Sequence, residues 1–280
     1  MLEMTRYKAV LAADMDFTLL LPGEDVPAEN VAAVKRLQEN GIAFTIATGR
    51  SSFLVGKFAE HLGIEIPIIT GNGGALFDPV ARKDVMSMDF SDLKVRDLLR
   101  LMTENEVNAT LYSVTGIYFT RCSKRRFFCE DYNKDVEPSK RAPLFDLDDD
   151  CWKRNGLPPF NKFLLIDPPA DICEKVSTDP ELTVISSGPS FHDIMTAGVS
   201  KGKALLDLAD YLEIPRSMTF AIGDSDNDVS MIADSAYGIA MGNACDAAKK
   251  AAAYVTAAVS EMGFAKAVDE FIIPTVASFT

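Results

Sequence analysis

Three short apolar runs, YKAVLAA at residues 7–13, IAFTIA at 42–47 and IPIIT at 66–70, alternate with two stretches whose apolar residues recur at helical spacing. In the first stretch, PAENVAAVKRLQEN (27–40), Val31, Val34 and Leu37 share one helical face, with Pro27 near the start and Gly41 past the end. The second runs from about Ser51 to Leu62. A β-α-β-α-β order predicts a parallel sheet covered by helices, because parallel neighbours need crossover connections. The rhythm returns late in the chain, with a helix at 201–212, a strand at 218–223, a helix after Asp228, strands at 237–241 and near 254–256, and a last helix from Gly263 to Phe271.

Residues 86–188 read differently. A helical stretch DLKVRDLLRLMTENEV precedes the strand-like segments NATLYSV, GIYFTRC, NKFLLID and LTVISS, with loop signals at EPSKRAP and LPPF. The expected fold class is α/β: a Rossmann-like parallel-sheet core built from residues 1–85 and 189–280, with an α+β domain inserted at 86–188.

A net charge of −13 opposes binding to nucleic acid or an anionic membrane, so neither is an expected partner. The five cysteines form no CxxC pair and suit reduced thiols, and two histidines make a zinc site a poor prospect. Neither a clean leader nor a bilayer-length apolar run is visible, so a cytoplasmic location is expected, as a monomer or homodimer.

Polar residues cluster just beyond the predicted strand ends, the edge at which open α/β sheets bind ligands. Asp14-Met15-Asp16-Phe17-Thr18 places two carboxylates where the chain leaves a strand and both can turn towards one site; one could attack phosphorus and the other handle a proton. A pair of solvated turn aspartates reads the same way in isolation. Thr48-Gly49-Arg50-Ser51 brings a hydroxyl and free helical N–H groups to the same edge, although an ordinary N-cap also explains Ser51. Gly198-Val199-Ser200-Lys201-Gly202 puts a lysine at a helix start, against the helix dipole, a cost that a bound phosphate would offset. The three aspartates of Gly223-Asp224-Ser225-Asp226-Asn227-Asp228 would repel one another without a cation, and magnesium needs only one or two carboxylates.

These four segments, in this order, resemble the haloacid dehalogenase superfamily and, within it, the Cof-type phosphatases. DMDFTLL, ATGR, GVSKGKAL and GDSDNDVSMI carry the resemblance, and YVTAAVSEMGFAKAV is similar to the family's C-terminus. The resemblance implies a Mg²⁺-dependent phosphatase acting on a small phosphorylated metabolite through an aspartyl-phosphate. Asp14 would be the nucleophile and Asp16 the acid that protonates the leaving oxygen and later activates water. Asp14, the backbone carbonyl of Asp16 and Asp224 would hold Mg²⁺, with Asp228 supporting a metal-bound water. Thr48, Gly49, Lys201 and Asn227 would bind phosphate oxygens. The insert is similar to the family's cap, which selects the leaving group. Candidates for that selection are Phe17, which stands where the family usually has glycine, Arg50, Asn72, and Arg125 and Arg126 of a short basic cluster.

Other readings fit less well. Gly71-Asn72-Gly73-Gly74 is not a dinucleotide fingerprint, and GVSKGKA misses the P-loop spacing. A phosphomutase shares the same nucleophile chemistry, a receiver-type signalling module needs no inserted domain, and a non-catalytic phosphate-ester binder has no use for both Asp14 and Asp16.

Overall fold

A computed structural model describes residues 7–187 and 190–279. β1 (Ala9–Ala13) and β2 (Ile42–Ile46) are buried at every position, as strands covered on both faces must be, and α1 (Ala28–Glu39) crosses between them. α1 turns Val34 and Leu37 inward. A 3₁₀ turn at Ser52–Leu54 precedes α2 (Gly56–Leu62), and the third apolar run narrows to β3 (Ile68–Thr70). β3 touches the parallel sheet only through an isolated bridge from Ile69 to Ala47. Its main partners are antiparallel: β4 (Ala75–Asp78) pairs with β3, and β5 (Lys83–Ser87) with β4. The expected third parallel strand is therefore largely diverted into a hairpin sheet, because GNGG reverses the chain within a few residues.

The insert builds α3 (Asp92–Glu104), β6 (Ala109–Ser113), β7 (Gly116–Phe119), α4 (Arg126–Lys134), β8 (Leu144–Asp146), β9 (Phe160–Ile166), α5 (Ala170–Ser177) and β10 (Leu182–Ser186). The boundary expected at residues 188 and 189 lies outside the described residues, as do the first six residues of the chain. β11 (Phe191–Thr196) pairs antiparallel with β10 and β9, so a segment expected in the core extends the insert's sheet instead. Its sequence, FHDIMT, places His192 and Asp193 side by side within the apolar run, which masks its strand character.

The return to the core runs through α6 (Lys201–Tyr211), β12 (Thr219–Gly223), α7 (Val229–Asp234), β13 (Tyr237–Ala240), α8 (Asp246–Ala251) and β14 (Tyr254–Val255). A final helical stretch, Gly263–Ala267, continues through a π-turn to Ile273–Ala277, beyond the end expected at Phe271. The parallel sheet has the order β14-β13-β12-β1-β2. β1 feeds a crossover to one side and β12 to the other, so the ends of these adjacent strands form the crevice where the order reverses.

The insert's sheet has the order β10-β11-β9-β6-β7-β8. One face packs Ala109, Leu111, Phe163 and Leu165 against Leu98, Leu99 and Ile172 of its helices. On the opposite face Tyr112, Ile117, Phe119 and Leu164 join the same apolar cluster as the core. That alternation points Lys162 of β9 towards the strand ends of the parallel sheet.

Candidate active site

β1 delivers Asp14 to the crevice, where its backbone N–H donates to the Ile222 carbonyl of β12 at 2.9 Å. The Lys201 ammonium, fully buried at the first turn of α6, lies 2.6 Å from Asp14 Oδ1 and 2.6 Å from Asp228 Oδ1. Asp228 Oδ2 accepts from the backbone N–H groups of Asp224 and Ser225, each at 2.9 Å, which folds the loop after β12 onto its own carboxylate. Gly223 is required here: a Cβ would lie 2.5 Å from the Asp228 side chain.

Carboxylate oxygens of Asp14, Asp224 and Asp228 lie within 4.8 Å of one another. Burial, then the charge of Asp228, pushes the Asp14 carboxyl well above its ordinary range, despite the neighbouring Lys201. Burial, then Asp228, likewise pushes Asp224 up to about 6. Burial alone would lower the Lys201 ammonium, but Asp14 and Asp228 outweigh it and hold the proton on. Three carboxylates against one ammonium leave a formal charge of −2, which a divalent cation with oxygen ligands balances. The donor set fits magnesium. Asp16 is not part of this cluster by its side chain.

The Asp16 carboxylate is instead held by Arg50. The Arg50 guanidinium grips it as a fork, Nε to Oδ2 at 3.1 Å and Nη2 to Oδ1 at 2.7 Å. Phe17 follows with φ of +63°, the left-handed region, and its ring is 46% exposed rather than plugging the site. The usual glycine at this point matches that backbone requirement. Thr18, which sequence reasoning passed over, donates from Oγ1 to Asp224 Oδ1 at 2.9 Å, while Ser225 Oγ donates to Asp224 Oδ2 at 2.9 Å.

The other wall is built by Thr48, Gly49, Asn72 and Asn227. Thr48 continues β2, with its N–H on the Ile69 carbonyl at 2.9 Å and its hydroxyl accepting from the Arg50 N–H at 3.2 Å. Ser51 stands at the start of the 3₁₀ turn, but its hydroxyl makes no cap. Asn72, fully buried at φ of +58°, accepts from Asn227 Nδ2 at 3.2 Å and donates to Asp193 Oδ2 at 2.7 Å. Asn227 Oδ1 is buried without a partner. Gly73 lets this turn press against α6, since a Cβ there would meet the Ser200 carbonyl at 2.2 Å.

Two further residues missed in the sequence couple the insert to this wall. Lys162 Nζ lies 2.6 Å from Asp193 Oδ1 and donates to the Gly49 carbonyl at 2.7 Å, with both side chains nearly sealed from solvent. The available signal was a charged residue inside each of two apolar strand segments, FNKFLLI and FHDIM, which calls for a buried partner. Arg125 sits over the Phe128 ring on the core-facing side of the insert. Arg126 does not reach the site: it pairs with Glu130 at 2.8 Å and Asp146 at 2.5 Å on the surface.

A cavity of about 600 Å³ lies beside this site, between α2, the β4–β5 hairpin and α4. Ser52, Lys57, Glu60 and Tyr132 are among its lining residues, and none of the clustered aspartates is.

A family model for haloacid dehalogenase-like hydrolases matches residues 11–268. The chain belongs to this family. Among its relatives, a 5-amino-6-(5-phospho-D-ribitylamino)uracil phosphatase of Bacillus subtilis is 29% identical over 94% of this chain and 97% of its own length. A pyridoxal phosphate phosphatase of Escherichia coli is 25% identical over 86% and 90%. The solved structure of a haloacid dehalogenase-like hydrolase from B. subtilis superposes with a TM-score of 0.80 at 26% identity, covering 94% of this chain and 99% of that one. The five cysteines of this haloacid dehalogenase-like hydrolase are free, and no helix among its described residues is long and apolar enough to cross a membrane.

Proposed function

We propose that this hydrolase is a Mg²⁺-dependent phosphatase of small phosphomonoesters, with Asp14 as nucleophile, Asp16 as acid and base, and the insert (86–188, extended by β11) as a cap that selects the leaving group. That the chain is a phosphatase is supported by the relatives named above and by the family match. The observation that carries the mechanism is the convergence of Asp14, Asp224, Asp228 and Lys201 at the reversal point of the sheet.

Asp14 forms a P–O bond through its carboxylate as the ester P–O bond breaks, giving an aspartyl-phosphate and an alcohol. Asp16 donates the proton that the leaving oxygen takes up, then removes one from the water that hydrolyses the acyl phosphate, so that it ends as it began. For the first step Arg50 must release one Asp16 oxygen, because its fork occupies both. Lys201, Thr48 and the N–H groups of the Gly49 turn hold phosphoryl oxygens, and Asn227 offers its Nδ2 at the same wall. Asp14, the Asp16 backbone carbonyl and Asp224 would hold the magnesium ion, with Asp228 behind them. The ion would neutralise charge between nucleophile and substrate.

The test is turnover of phenyl phosphate by purified protein, with Mg²⁺ and after EDTA treatment. We expect hydrolysis that requires Mg²⁺ and that Asp14→Asn lowers by roughly a thousandfold or more, since an amide is a poor nucleophile. Undiminished hydrolysis by the Asn variant, with circular dichroism showing an intact fold, would remove Asp14 from the mechanism.

A further inference from the structure

Arg125 is exceptional among the described arginines. The guanidinium groups of Arg36, Arg50, Arg82, Arg96, Arg100, Arg121, Arg126, Arg141, Arg154 and Arg216 each have a hydrogen bond or an ion pair. That of Arg125 has neither among the described residues, and its Nε is buried without a partner. In a chain with 41 acidic residues against 28 basic ones, carboxylates are not scarce. A partly buried guanidinium left unpaired pays a desolvation cost that a ligand can recover.

Its position is specific. Arg125 immediately precedes α4, with its guanidinium carbon 3.8 Å from the centroid of the Phe128 ring and 5.9 Å from that of Phe191. Phe191 lies opposite Ile166, and Lys162 opposite Tyr112, so all four side chains share the sheet face that looks towards the core. Lys162 on that face touches the Gly49 carbonyl of the phosphate wall. Arg125 is near enough for its charge to act on both Tyr112 and Lys162. The neighbouring Arg126 faces outward and is paired, so this orientation is not a property of the basic cluster as a whole.

A phosphoryl group held by Asp14 and Lys201 must direct its leaving group away from Asp14, because attacking and departing oxygens lie roughly in line. Asp16, which would protonate that departing oxygen, pairs with Arg50, the residue after Gly49, whose carbonyl Lys162 of the insert's sheet contacts. The guanidinium lies over the Phe128 ring with its Nε sealed and unpartnered, and its Nη groups, which make no hydrogen bond among the described residues, remain as donors for an anion.

We propose that Arg125 is a specificity-determining residue that binds a second anionic group, a phosphate or carboxylate, carried on the leaving group of the substrate. This rests on the phosphomonoesterase reading above. The core recognises the phosphoryl group that is cleaved, and Arg125 recognises the far end of the same molecule.

The experiment compares three sets of linear alkyl phosphates of three to six carbons, ending in a hydroxyl, a carboxylate or a second phosphate, with phenyl phosphate as the short reference. In the wild type, one of the two anionic series should exceed the hydroxyl series of equal length by about tenfold or more in kcat/KM, mainly through KM, as expected for a charge-assisted contact. For bisphosphates the twofold statistical advantage is divided out first. Arg125→Ala should erase the preference while phenyl phosphate turnover stays within about twofold. Arg125→Lys should restore part of it, and Arg126→Ala should keep it. Whichever series responds identifies the anion. Turnover of phenyl phosphate without any preference for an anionic end would overturn this inference alone, as would an equal loss on every ester in Arg125→Ala. Absence of turnover on all esters would overturn the phosphomonoesterase reading, and this inference with it.

Discussion

Lys201 is buried completely, and its ammonium separates two carboxylates that would otherwise face each other. Lys201→Met keeps most of the volume but leaves Asp14 and Asp228 uncompensated, a change that costs about 3–5 kcal/mol in a buried pair. We expect a lower melting midpoint in EDTA and a smaller loss with excess Mg²⁺, because the cation supplies part of the missing charge. A loss of equal size in both conditions would place the metal elsewhere. Phe17 illustrates a different constraint at the same scale. Its backbone needs φ of +63°, yet its ring is half in solvent, so the departure from glycine concerns the conformation of the turn more than the space within the site.

Strands carry the site, and two of them also carry its support. β9 and β11 bring Lys162 and Asp193 together on one face, and from there bonds run to Gly49 and Asn72 of the core. Burial lowers the Lys162 ammonium, with Asp193 opposing the shift, so the pair depends on staying matched. β5 shows the reverse case, a carboxylate without compensation. Asp84 Oδ1 has no hydrogen-bond partner, and burial, then the charge of Asp89, pushes the carboxyl from 3.8 up to about 6. The folded state therefore holds a proton that the unfolded chain has released between pH 3.8 and about 6, and stability from this group falls as pH rises through that window. Asp84→Asn removes the charge and should raise stability at pH 7 by ~1 kcal/mol, after allowance for solvent screening of a partly exposed group. The gain over wild type should shrink towards pH 4. Denaturant melts of both proteins at several pH values check this, and a gain independent of pH would contradict the assignment.

For the whole molecule, a net charge of −13 means that substrate approaches against the overall field, and local positive charge at the site must reverse it. Lys201, Arg50, Lys162 and Arg125 lie around the crevice between the two sheets, while the carboxylate cluster at its floor still lacks two positive charges. Mg²⁺ added to EDTA-treated protein should therefore raise the melting midpoint, by the equivalent of ~2.7 kcal/mol at a concentration one hundred times its dissociation constant. The same addition to Asp224→Ala should do much less. Equal shifts in the two proteins would show that the ion binds outside the cluster.

The strand-and-helix alternation, the parallel core and the polar strand ends were legible in the linear chain, because periodicity and the position of a residue after an apolar run are local properties. The order of DMDFTLL, ATGR, GVSKGKAL and GDSDNDVSMI likewise sufficed to point to the family. What needed the tertiary structure was every relation between distant segments. Thr18 meeting Asp224, Lys162 meeting Asp193 and Gly49, and Arg125 turning inward while Arg126 turns outward depend on which strands become neighbours and on which sheet face a residue falls. FHDIM could not be assigned to the insert's sheet from its own composition, since a buried aspartate is tolerable in a strand only when it is paired or hydrogen-bonded, and its partners Lys162 and Asn72 come from other segments of the chain. Local sequence thus determined the elements and the chemistry at their ends, whereas pairing across the chain decided which buried charges were neutralised and left Arg125, alone among the described arginines, without a hydrogen bond or ion pair.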